Sequence, residues 1–256
     1  MLQLTADQRH RTDELSETYR LLLAACDGAL RVELTGRPMT GPGWRRADTL
    51  ACSVEELVAG ESARIAAEHG RVPRTHVAAS RALHHYLWSV SLLVSGPWYL
   101  QGRIPDLRAT DLWIAPADGR LALRPGRWAA GGGAQLRSAV ADHLGPVLAA
   151  FQPLVKRGPR ALWGMAADDL VSGICHLGKL LGEEDHAVEA AAALLPGDTP
   201  PFPGAADFRR LTGTGGRTHW TRTRAGCCLY YAIRPDEACV TCPRTGDEER
   251  VRRLEA

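Results

Sequence analysis

Four of the seven cysteines in this chain fall within sixteen positions, as Cys227-Cys228-x10-Cys239-x2-Cys242. A fold that carries such a set has to bring the thiols onto something, and three readings of that something compete. Disulfides belong to oxidising compartments. The opening stretch Met1–His10 lacks the charged and apolar regions of a secretory signal, so a cytoplasmic location is expected, where thiols stay reduced. A bond between the neighbours Cys227 and Cys228 would also close a small strained ring. Structural zinc takes four sulfurs tetrahedrally, usually from two Cys-x2–4-Cys knuckles. Only Cys239 and Cys242 form one, and adjacent side chains diverge in an extended chain. A [2Fe–2S] cluster has two irons, each needing two thiolates, so the four ligands need not meet at one point. The spacing is neither of the common ferredoxin patterns, so a generic electron carrier is not implied.

Arg224 stands just upstream of the pair, Leu229-Tyr230-Tyr231 follow it, and Pro243 and a charged tail follow Cys242. In these features the chain resembles the FhuF-like ferric siderophore reductases. The likeness is sharp over residues 217–245, and the remainder agrees in length and helical character. The resemblance implies that Cys227, Cys228, Cys239 and Cys242 are the ligands of one [2Fe–2S] cluster and form the redox centre. It implies an oxidoreductase that reduces siderophore-bound Fe(III) to Fe(II) in the cytoplasm and so releases the iron. The substrate would be a ferric siderophore, with the hydroxamate type favoured. An external donor such as a ferredoxin or a flavin reductase would supply the electron. The residues alone leave two other classes open: an interaction protein built on structural zinc, and an iron–sulfur redox sensor.

Five arginines and no acidic residue lie between Arg209 and Arg224. A four-thiolate cluster gains a negative charge on reduction, so nearby guanidiniums favour the reduced form and raise the potential. The same charges would attract an anionic ferric siderophore or an acidic donor. Arg217, Arg222, Arg224, Trp220 and Tyr230 are therefore the candidate substrate-binding residues.

Upstream, apolar residues at helical spacing predict helices over 12–30, 54–69, 73–97, 134–152, 160–181 and 183–195. Ser53 and Glu56 have the spacing of a capping box, Gly96-Pro97 should end the third helix, and Pro146 should kink or split the fourth. Asp118-Gly119 predicts a hairpin turn between Leu112–Ala115 and Leu121–Leu123. Residues 218–224 and 228–233 are rich in β-branched and aromatic side chains and are expected to be strands turning at Ala225-Gly226. The fold class is thus α+β, predominantly α-helical with a small antiparallel β component. The proline-rich stretch 196–204 divides a helical scaffold and siderophore platform, residues 1–195, from a cluster-binding segment, residues 205–256, packed on it as one unit.

Other chemistries find little support. The net charge of +2 does not indicate a nucleic-acid binder, and the arginines lack a recognition helix. No run of eighteen apolar residues exists to span a membrane. There is no GxGxxG motif for a built-in nicotinamide or flavin site. His76, His84 and His85 lack the three- or four-residue spacing of metal ligands on one helix face, which leaves them as satisfied or surface residues. Asp168 and Asp169 are adjacent helix positions that face different directions, so they are not a carboxylate dyad. Cys26, Cys52 and Cys175 have structural explanations.

Overall fold

Apolar residues one turn apart wrap each helix onto a common core. The computed structural model describes residues 14–256. Leu15–Cys26 form α1, which buries Leu15, Tyr19, Leu22 and Cys26 along one face. It ends at Asp27 in left-handed backbone (φ 38°), short of the expected residue 30. Residues 12 and 13 at its predicted start and the Met1–His10 stretch lie outside the described residues. Val54–His69 form α2, which stops at Gly70 (φ 70°) as the glycine predicts. The expected capping box is not formed. Ser53 makes no side-chain cap, and Glu56 pairs instead with Arg45 at 2.8 Å.

Thr75–Gln101 form α3, the central helix, against which α1 and α2 pack. Gly133–Val155 (α4) and Pro159–Leu181 (α5) pack on it as well, and Glu184–Leu194 (α6) packs on α5. Gly96-Pro97 does not end α3, which runs to Gln101 and stops at Gly102 (φ 65°). Pro97 has no N–H to give the Leu93 carbonyl one turn earlier. The buried Tyr19 hydroxyl of α1 donates to that carbonyl instead, at 3.0 Å. A helix–helix contact thus supplies the bond the proline removes. Nor does Pro146 split α4, which continues through both Pro146 and Pro153.

The β component is small. Val32–Leu34 (β1), Arg45–Arg46 (β2), Leu112–Ile114 (β4) and Leu121–Leu123 (β5) make one sheet in the order β1-β5-β4-β2. β4 and β5 are the predicted hairpin, with Gly119 at φ 71° in its turn. β1 joins β5 in parallel, and the other pairings are antiparallel. Ile104–Pro105 (β3) pairs with Trp128–Ala129 (β6), and Phe208–Thr212 (β7) with Thr218–Arg222 (β8). The chain is therefore predominantly helical α+β. Within the proline-rich stretch Phe202 is buried edge-on against Trp163 of α5 (5.5 Å between centroids), so this stretch contributes to the core. No helix among the described residues is long and apolar enough to cross a membrane.

The hairpin is seated on α2 at Gly60, where an added Cβ would lie 2.0 Å from the Pro116 carbonyl oxygen. Gly60→Ala gains about 1 kcal/mol of helix propensity. Overpacking costs about 1–3 kcal/mol, at its high end here because backbone cannot rotate away. The variant is expected to melt below the wild type in a thermal scan; a melting point at or above wild type would refute the close contact.

Candidate metal centre

The chain turns back directly after the cysteine pair. Leu229 takes left-handed backbone (φ 62°), and Tyr230–Ala232 form a single 3-10 turn, not the strand expected over 228–233. Tertiary contacts override the strand propensity of Leu229, Tyr230, Tyr231 and Ile233. Leu229 and Ile233 bury themselves with Ile65 of α2 and Val77 of α3 in a small apolar cluster. Arg71 donates to the Ala232 carbonyl at 3.0 Å. Cys227 is held from the other side, its carbonyl accepting Arg157 Nη1 at 2.6 Å.

The second pair sits in a tight turn. Cys242 N–H donates to the Cys239 carbonyl at 3.0 Å, and Thr245 Oγ1 donates to that same carbonyl at 3.1 Å. Arg224 N–H donates to the Thr241 carbonyl at 2.9 Å, tying the turn to the chain just before Cys227. All four cysteines are free thiols, with Cys228 and Cys242 buried and Cys227 and Cys239 partly exposed.

The thiols act on one another. Burial pushes Cys227 up, and Cys228 and Cys242 push it the same way; the Leu229 N–H and Arg157 work against them. Burial likewise pushes Cys239 up, with Cys228 and Cys242 again adding to the shift and Arg224 and the Thr241 hydroxyl opposing it. Cys227 and Cys239, both pushed up by burial and by Cys228 and Cys242, belong to a donor set that positive charge among the thiols would relieve. That chemistry fits a thiolate-bound metal group. Among the described residues no three His, Cys, Asp or Glu side chains are arranged to hold a single ion.

A buried charge array docks this segment onto α5. Asp168 and Asp169 are both fully buried. Asp168 accepts from Arg222, from Ala225 N–H at 3.1 Å and from Gly226 N–H at 2.6 Å. Asp169 accepts from Arg224, and His84 Nδ1 lies 2.8 Å from its other oxygen. The two carboxylates take separate hydrogen bonds, Asp168 from Arg222 and Asp169 from Arg224, while Arg224 Nε also lies 3.7 Å from Asp168. Their place under the cysteine loop was not anticipated, because an Asp on a helix reads as a solvated residue. Gly226 allows the close approach, since a Cβ there would lie 2.8 Å from the Met165 backbone nitrogen.

Burial prevails at Asp168 and pushes its carboxyl up despite Arg222 and Arg224. At Asp169 burial is outweighed by His84 and Arg224, and the carboxyl stays below its ordinary value. Burial opposes the charge of Arg224, but Asp169 and Asp168, then Cys239 and Cys228, raise its pKa above the usual value. Arg224 is therefore the guanidinium that sits within electrostatic reach of both cysteine pairs.

The other candidate residues are dispersed. Arg222 is buried and committed to Asp168 and to the Ala206 carbonyl. Arg217 is exposed at the start of β8. Trp220 lies under Arg210 (4.3 Å) and donates to Asp185 in the first turn of α6. Tyr230 lies next to the cysteines, with Arg81 over its ring at 5.0 Å and its hydroxyl on Glu237 at 3.1 Å. Cys26 is a buried core residue, and burial pushes Cys175 up to about 12; Cys52, expected to be structural, is exposed at the end of a short turn. His85 lies beside Arg81 (2.8 Å) and Glu61 (3.3 Å).

Residues 224–244 match the family model of the FhuF 2Fe-2S C-terminal domain, and Cys227, Cys228, Cys239 and Cys242 fit its motif. The match indicates a [2Fe–2S] cluster as the cofactor. A search of curated proteins returned no match.

Two outcomes follow from the charge array. Asp168→Ala strands the buried Arg222 and two loop N–H groups, and is expected to cost about 3–5 kcal/mol in urea unfolding. A loss below about 1 kcal/mol, the size of an exposed pair, would rule the array out as the dock. Burial also lowers the pKa of His84 to about 4, against the pull of Asp169. Between an unfolded value near 6.5 and the folded value, the unfolded chain binds the extra proton. Stability is expected to rise with pH across that window, and to be lost as pH drops through it, by up to about 1.4 kcal/mol per unit. His84→Gln should flatten that part of the unfolding profile, and an unchanged profile would contradict the assignment.

Proposed function

We propose that this chain is a cytoplasmic ferric-siderophore reductase in which Cys227, Cys228, Cys239 and Cys242 hold the [2Fe–2S] cluster. The observation that carries the reading is the family match over two cysteine pairs that crowd one another next to Arg224. When bound, such a cluster supplies one-electron chemistry.

The chain's own residues supply placement and charge. Cys227 and Cys239 reach the surface, which leaves a short gap for an electron to cross to a bulky substrate. The Arg224 guanidinium favours the more negative, reduced state, while Asp168 and Asp169 temper its charge and fix its position. Tyr230, beside the cysteines, is the nearest candidate for substrate contact. Arg217, just before β8, and Trp220, on it, are assigned to the outer reach of the same contact. Arg222 and Arg224 act from beneath, through their field.

The substrate in this reading is a siderophore-bound Fe(III), with the hydroxamate type favoured. Its hard oxygen ligands hold Fe(III) far better than Fe(II), so reduction by one electron loosens the metal. No side chain has to abstract a proton or attack the substrate. A ferredoxin or a flavin reductase is proposed as the source of the electron.

Protein purified without oxygen is expected to be coloured, with about two irons and two sulfides per chain. Cys228→Ser should lose most of that iron. The reduced protein should be reoxidised by ferrioxamine-type complexes and more slowly by catecholate ones, followed by the visible spectrum. A colourless protein with one zinc would overturn the reading, and a coloured one that no ferric siderophore reoxidises would remove the substrate from it.

A further inference from the structure

Asp247–Glu255 form α7, which begins beyond the family match and lies against the second cysteine pair. It carries an arginine that is only 2% exposed, Arg250. Arg250 Nε donates to the Val240 carbonyl and Nη2 to the Cys242 carbonyl, each at 2.9 Å. Its Nη1 donates to Thr223 Oγ1 at 3.1 Å and to Asp247 Oδ1 at 3.0 Å. One turn later Arg253 donates to the Ala238 carbonyl and, at 3.2 Å, to the Asp236 carbonyl. Two arginines on α7 thus take the carbonyls of residues 236, 238, 240 and 242, every second one along the stretch that holds Cys239 and Cys242.

We propose that Arg250 is a positioning residue for the cluster, and that α7 clamps the Cys239–Cys242 half of the site through it. The proposal rests on the ligand assignment made above. Only a guanidinium has the donors for this task, because its planar fork meets two carbonyls and a hydroxyl at once while an ammonium acts as a point charge. The charge matters as well as the geometry. Arg222 and Arg224 face two buried carboxylates, whereas the carboxylate partner of Arg250, Asp247, is half exposed and solvent-screened. The positive charge of Arg250 is therefore poorly matched on the side nearest Cys242, where it favours the reduced state of a thiolate cluster.

The test compares Arg250→Gln, Arg250→Lys and Arg253→Gln with Arg252→Gln, a change at an exposed position of the same helix. Three quantities are read: iron loss from the anaerobic protein to excess chelator, midpoint potential by EPR-monitored titration, and reaction of the metal-free thiols with Ellman's reagent. Arg250→Gln is expected to lose iron about 10- to 100-fold faster than wild type, the usual size of an outer-shell effect. Its potential should fall and its metal-free thiols should react faster. Arg250→Lys should restore the potential but not the retention, Arg253→Gln should lose iron faster than wild type, and Arg252→Gln should match wild type throughout. A folded Arg250→Gln protein with wild-type retention and potential would overturn the clamp. Should Arg250→Gln fail to fold, wild-type retention in Arg253→Gln would overturn it instead. Wild-type protein that takes up no [2Fe–2S] cluster would overturn the ligand assignment, which separates that failure from failure of the clamp alone.

Discussion

The buried array of Asp168, Asp169, Arg222, Arg224 and His84 is the interaction on which the cysteine loop depends. Charges taken out of water are costly, and a buried ion pair adds little net stability over apolar groups of the same shape. Its worth is positional. Asp168 takes one arginine and two loop N–H groups, so the residues just before Cys227 have one place to lie on α5. Asp169 fixes Arg224 between that helix and the cysteine pairs. An apolar contact would tolerate sliding; these directional bonds do not.

The helices below the array are held by similar exchanges between elements. Tyr19 of α1 supplies the hydrogen bond that Pro97 denies to α3, so two helices are locked by one hydroxyl. Phe202 leaves a proline-rich stretch to fill a gap beside Trp163. In each case a local rule is broken and a distant side chain compensates.

These exchanges mark where the sequence was readable and where it was not. Helix periodicity placed α2, α5 and α6 to within a residue or two, and Asp118-Gly119 placed the hairpin, because these signals are local. Pro97 misled, since the carbonyl it deprives is bonded by the distant Tyr19, and Pro146 does not split α4. The four cysteines were legible because their clustering is itself unusual. Asp168 and Asp169 were not: their partners lie more than fifty residues away, and nothing local separates a docking carboxylate from a solvated one. Arg250 was hidden in a tail whose charges look like surface charges. The strand expected after Cys228 failed because Leu229 and Ile233 bury better against Ile65 and Val77 than they would in a ladder.

The long spacing between the carboxylates and the arginines also makes the cysteine site a product of long-range contacts. The segment with the four cysteines is fastened by Ser80 on α3, by Arg157 ahead of α5 and by Asp168 and Asp169 within it. All of these precede the cysteines in the chain, and closing so long a loop is entropically costly until its far end already exists as a surface. The placement of the thiols is therefore written as much in the helical body as in the cysteine segment itself. Whatever the thiols bind then strengthens that distant body too, since a ligand held only by the folded chain adds its affinity to the stability of the whole.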